Sequence, residues 1–304
     1  MVVRPSDSAA RRPDLIVVGH ANLDRFLRVA ALPAPDRTVP VTADETRLGG
    51  TAVNLARSAA GWGVSTALVT RVGEDFPSAF LRQLADEGVD LSGVERVAGV
   101  PSSTCFIVED GRGSQMTLID QGPMADASAA ALPRDLLASA GWVHLTTAEP
   151  DYALRIKRVA RASGARITVD PAQEIHYRWD AARFRRLVDG AEILFGNRSE
   201  IVRAVELTGV RSPSALTDLV PLVVMTEGAR GARAYTRTGE VRTAGRPLRR
   251  FRQVTGAGDA FRGGFYAGWF AGQPLAACLT AGARSASRWM ATGGPRPRGR
   301  GRRR

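Results

Sequence analysis

From about residue 140 the chain alternates short β-type apolar runs with stretches whose apolar positions recur at helical spacing. "WVHL" at 142–145 precedes the amphipathic "YALRIKRVARAS", which leads to "RITVD" at 166–170. "FRRLV" leads to "EILF" at 192–195, then a helix from about Ser199, then "LVVM" at 222–225. Strands alternating with helices predict a mostly parallel sheet covered on both faces, a three-layer αβα architecture. "LIVVG" at 15–19 reads as the first strand of that sheet, and "TALVTRVG" at 66–73 as another after a helix over 52–62.

Two stretches, 24–48 and 103–121, are β-like with turn signals but contain no crossover helix. The second reads as a hairpin turning at Asp110-Gly111-Arg112-Gly113. The two are expected to pair into a small sheet outside the main one, either as a lid over the crevice or as an edge extension.

Ligands of open α/β sheets bind beyond the carboxyl ends of the strands. Asp170, Asn197 and Thr226 all fall at such ends. Asn197 and Glu200 share a helix face, so together they suit a magnesium ion completed by water, or equally a capping box. In "GGTAVNLARSAAGWG", Gly50 lets backbone approach a ligand, and polar Asn54 sits in a small-apolar helix and needs a partner. Asp24, just after the first strand, is placed to accept two hydroxyl hydrogen bonds. Gly256, Ala257 and Gly258 open a helix rich in glycine and aromatic residues, whose glycines imply compensating close packing against the sheet. The open N-terminus of that helix suits a phosphoryl group, with Asp259 placed either as a base or as a simple complement to the helix dipole.

Composition narrows the choices. The chain has 304 residues, no apolar run of bilayer length and no signal-peptide h-region, so a cytoplasmic protein is expected. Cys105 and Cys278 are far apart in apolar surroundings and read as free buried thiols. His20, His144 and His176 show no metal-ligand spacing and read as packed or surface side chains. The net charge is +12, but residues 293–304 hold six arginines and no acid, leaving +6 on the other 292 residues. That tail is expected to be solvated and, lacking interleaved aromatics, to offer nucleic acid at most a weak contact.

Taken in order, "VVGHANLD", "GGTAVNLA", "RVGEDFPSAFLRQLADEGVD", "DPAQ", "GNRSE", "VMTEGARG" and "TGAGDAF" resemble the PfkB, or ribokinase-like, family of sugar and nucleoside kinases over nearly the whole chain. The resemblance implies a ribokinase-like kinase domain over 14–292, with a β lid from 24–48 and 103–121, an N-terminal extension over 1–13 and the arginine-rich tail over 293–304. It implies Asp259 as the catalytic base and the amides of Gly256, Ala257 and Gly258 as the anion hole. Asn197 and Glu200 would organise magnesium, partly through water, and Asn197, Thr226 and Gly228 would contact ATP. Asp24, Gly50 and Asn54 would hold the acceptor, a small sugar carrying a hydroxymethyl group or alternatively a nucleoside. In relatives the lid often doubles as a homodimer interface.

Some positions depart from the family. Gln253 and Val254 replace a frequent acid and threonine, which counts against potassium activation. Thr51 replaces the lysine of ribokinases proper, which weakens ribose as acceptor. The lid is expected to bring Phe106 and Met124 near the acceptor. A non-catalytic binding protein on the same scaffold, using its basic tail on nucleic acid, is the rival reading. The Gly-Ala-Gly-Asp stretch argues for the enzyme.

Overall fold

Uninterrupted apolar runs such as "LIVV" and "WVHL" become the central strands, buried along their whole length. The computed structural model describes residues 12–112, 114–246, 248 and 255–295. Its elements in chain order are β1 (Leu15–Val18), β2 (Asn22–Val29), β3 (Val41–Gly49), α1 (Thr51–Gly61), β4 (Thr66–Gly73), α2 (Ser78–Asp86), β5 (Val89–Val97), β6 (Thr104–Asp110), β7 (Gln115–Asp120), α3 (Arg134–Ser139), β8 (Trp142–Leu145), α4 (Pro150–Ala162), β9 (Arg166–Val169), α5 (Ala181–Val188), β10 (Ile193–Asn197), α6 (Arg198–Thr208), β11 (Leu222–Thr226), β12 (Ala232–Thr236), β13 (Gly239–Thr243), α7 (Ala257–Phe270) and α8 (Leu275–Thr292).

The main sheet has the order β13-β12-β11-β10-β9-β8-β1-β4-β5. It is parallel from β5 through β11 and closes with β12 and β13 antiparallel at one edge. Alternation along β1 divides the core in two. Ile16 and Val18 pack with side chains of α3, α4, α5 and α6, while Leu15 and Val17 pack with those of α1, α7 and α8. The expected three-layer αβα fold is therefore present.

A second sheet of order β3-β2-β6-β7 stands apart from the first. The two β-like stretches do pair, through parallel β2 and β6 with Asp24 opposite Cys105. β6 and β7 form the expected hairpin, and Asp110 Oδ1 accepts from the amides of Arg112 and Ser114 at 2.8 Å each in its turn. Gly113 of that turn lies outside the described residues.

One packing expectation needs correcting. Gly263, Gly264 and Gly268 of α7 face other helices rather than the sheet. A Cβ on Gly263 would stand 2.4 Å from Ser58 Oγ of α1, so only glycine permits this approach. The aromatic side chains face the sheet instead, with the Phe265 and Tyr266 rings 5.2 and 5.8 Å from that of Phe195 on β10. No helix among the described residues is long and apolar enough to cross a membrane.

Candidate active site

The carboxyl ends of β1, β9, β10 and β11 open toward the N-terminus of α7, because every parallel strand delivers its following loop to that edge of the sheet. Gly256 caps α7 with φ 82° and ψ 0°, a left-handed conformation suited to glycine. A Cβ there would also lie 3.0 Å from both Asn54 Nδ2 and Trp289 Nε1. Having no side chain, Gly256 leaves the first-turn amides of α7 without a side-chain cap. Those amides carry the positive end of the helix dipole.

Asp259, on the first turn of α7, accepts a 3.1 Å hydrogen bond at Oδ2 from Asn54 Nδ2. This is the partner that Asn54 needs within its small-residue helix. Desolvation raises the Asp259 carboxyl to about 6, with the Arg262 charge and the Asn54 hydrogen bond pulling the other way. Asp24 lies across the site on β2, packed against Gly49, with its carboxyl pushed up to about 7 by burial and then by the charge of Asp259. Gly50 caps α1 and its carbonyl accepts from Asn54 N at 2.9 Å, so Asp24, Gly50 and Asn54 gather on one side of Asp259.

On the other side lies a cavity of about 380 Å³ lined by Thr226, Gly228, Ala257, Gly258, Phe261 and Met290, among others. Two of the three positions expected to contact the nucleotide, Thr226 and Gly228, thus meet two of the three expected for the anion hole, whereas Asn197 is not among the residues lining this cavity. Met290 on α8 is an unforeseen contributor, since its helix carries no motif.

Asn197 and Glu200 adopt the capping-box arrangement. Asn197 Oδ1 accepts from Glu200 N at 3.0 Å, and Glu200 Oε2 accepts from Asn197 N at 2.6 Å. Glu200 Oε1 also accepts from Gln173 Nε2 at 2.8 Å. Among the described residues no group of three or more His, Cys, Asp or Glu side chains is placed to hold a metal. One carboxylate and one amide, both already engaged, fit an ion that travels with phosphates and keeps its waters, not one caged by protein.

Three features depart from the sequence reading. Asp170 does not line the cleft as a loop residue; it is fully buried and pairs with Arg262 of α7. Arg262 was missed altogether, although its position three residues after Asp259 puts both on one helix face. Met124 is fully buried in the core beside β1 and β4, so it is unavailable to an acceptor. Both cysteines are free; Cys278 is buried as expected, whereas Cys105 is only half-buried, with its thiol pushed up to about 12 by desolvation. His20 and His144 are packed inside and His176 is exposed, as expected. Gln253 and Val254, which bear on potassium, and residues 296–304 of the tail lie outside the described residues.

Comparisons with known proteins identify the family and the fold. The model of the pfkB family carbohydrate kinases matches residues 12–297. A nucleoside kinase of Methanothermobacter thermautotrophicus is 31% identical over 272 residues, covering 87% of this chain and 85% of the relative. An ATP-dependent ribose-1-phosphate kinase of Halopiger xanaduensis is 30% identical over 256 residues, covering 84% of each chain. The crystal structure of the Methanocaldococcus jannaschii nucleoside kinase, an archaeal member of the ribokinase family, superposes with a TM-score of 0.85 at 24% identity over 94% of both chains.

Proposed function

The chain belongs to the pfkB family of carbohydrate kinases, phosphotransferases with an alcohol acceptor, and we propose that it transfers the γ-phosphoryl group of ATP to a hydroxymethyl group of a small sugar. The observation that carries this reading is the Asp259 carboxyl, hydrogen-bonded to Asn54 at the uncapped start of α7, between the Asp24 side and the Thr226–Gly228 cavity. ATP lies in that cavity with its terminal phosphate at the amides of Gly256, Ala257 and Gly258. Asp24, Gly50 and Asn54 hold the acceptor so that its hydroxymethyl oxygen faces the phosphorus.

Asp259 takes the hydroxyl proton as the new O–P bond forms and the bond to the ADP oxygen breaks. Phosphoryl transfer asks the protein mainly for positioning and charge stabilisation. Magnesium, when bound, would neutralise phosphate charge; Glu200 and Asn197 would hold its waters, and Asn197 would also contact the nucleotide. With its carboxyl near 6, Asp259 is ionised at neutral pH and ready to accept that proton.

Asp259→Asn is expected to lower turnover by ~10²–10⁴-fold while ATP affinity, measured by calorimetry, changes little. Near-normal turnover would overturn the assignment. Loss of nothing measurable, in a chain that binds ligands but phosphorylates none, would favour a non-catalytic scaffold.

A nucleoside acceptor is the second reading. The nucleoside kinases among the relatives favour it, as does the buried Asn22 Oδ1, which lacks a hydrogen-bond partner among the described residues. A coupled-ADP screen of pentoses, hexoses and nucleosides separates the two. The second sheet acts as the lid and as a homodimer surface, supported by exposed Val41 on β3 and Met116, Leu118 and Ile119 on β7. Sedimentation of the wild type against a Leu118→Lys variant tests this, with a shift toward monomer expected in the variant.

A further inference from the structure

Arg262 has no task in the chemistry above, yet the charges of Asp170, Asp259 and Glu200 all act on its guanidinium. It is 4% exposed, while its partner Asp170 at the end of β9 is 0% exposed. Its Nη1 lies 2.8 Å from the point where a Cβ on Gly258 would stand, so the cation is packed directly against the glycine turn. Its carbon centre sits 5.9 Å from the centroid of the Phe195 ring. Apolar side chains fill such space at least as stably as a buried ion pair. A charge kept here therefore calls for an electrostatic explanation. The first-turn amides of α7 offer roughly half a positive charge, and a full one beneath them, away from water, strengthens that field considerably.

We propose that Arg262, clamped by Asp170, is the positioning residue of this site: a fixed cation that holds the terminal phosphoryl group over the Gly256–Gly258 turn and balances the acids around Asp259. Those acids are Asp24 on β2, Asp170 after β9 and Glu200 on α6, while Asn54 on α1 supplies the neutral hydrogen bond. The kinetic part of this proposal rests on the kinase reading; the binding part does not.

The test compares Arg262→Gln, Arg262→Lys and Asp170→Asn with the wild type. Calorimetry with ATP and with ADP reads the terminal phosphate alone. Arg262→Gln is expected to weaken ATP by about 10-fold relative to ADP, and Arg262→Lys to restore the ratio. Where an acceptor is turned over, Arg262→Gln lowers kcat with acceptor KM nearly unchanged and moves the acid limb of the rate profile to higher pH. A folded Arg262→Gln protein with the wild-type ATP-to-ADP ratio overturns the proposal. Should that variant fail to fold, Asp170→Asn decides: a less compensated cation tightens ATP relative to ADP, and an unchanged ratio counts against the idea. If the wild type phosphorylates no acceptor, the kinase reading fails, while the ATP-to-ADP comparison still decides the role of Arg262.

Discussion

The hydrogen bond from Asn54 to Asp259 joins side chains 205 positions apart in sequence, and two quantities depend on it. It fixes one carboxylate oxygen, and it favours the ionised form of the acid. Asn54→Leu should therefore lower kcat by roughly 10-fold or more and shift its acid limb upward from about pH 6, read from pH–rate profiles. The proposed role of Asp259 as base came from the family resemblance, while its place on the first turn of a glycine-opened helix was legible in the sequence. Arg262 and the burial of Asp170 were not, since the pair exists only when the end of β9 meets the first turns of α7. Local pattern carries no information about that meeting. Asn197 and Glu200 show the opposite case, where the spacing allowed both a capping box and a metal reading and the fold supplies the box directly.

Among the elements, α7 depends most on single residues. Its cap Gly256 combines a left-handed backbone with contact against Asn54 and Trp289, and Trp289 Nε1 in turn donates to Thr255 O at 3.0 Å. Gly256→Ala is expected to cost about 1–3 kcal/mol of stability in denaturant titrations and to lower turnover by displacing Asn54. The central strands and their helices were readable because full burial gives unbroken apolar runs and amphipathic helices their own period. β5, β12 and β13 were not singled out. β5 and β13 alternate buried or half-buried with exposed positions, and β12 and β13 join by a tight reversal after Thr236 instead of a crossover helix. "ARAYTRTGEVRT", two β-rich runs around a Thr-Gly turn, was the available signal for that reversal.

At the scale of the whole molecule, buried acids couple folding to pH. Burial raises Asp24 to about 7 and Glu174 to about 8, so the folded chain holds protons that the unfolded chain has already released. Stability contributed by these groups is present at low pH and is lost as pH rises through those values. His20, lowered from 6.5 to about 4 by burial, acts in the opposite sense, but only below about pH 6.5. A falling melting temperature is therefore expected between about pH 6.5 and pH 8, and Glu174→Gln should flatten it in calorimetric scans. The central strands and the pairing of the small sheet follow from pattern, whereas this titration behaviour needed the packed interior. The three residues that separate β1 from β2 have one more consequence. Asp24 sits on a strand of the small sheet itself, while Thr226, Gly228 and the start of α7 belong to the main body. Inheritance can then act on the two halves independently. Under the proposed function, substitutions in the small sheet would change which alcohol is accepted while the cavity for the phosphoryl donor, built on the main body, stays intact.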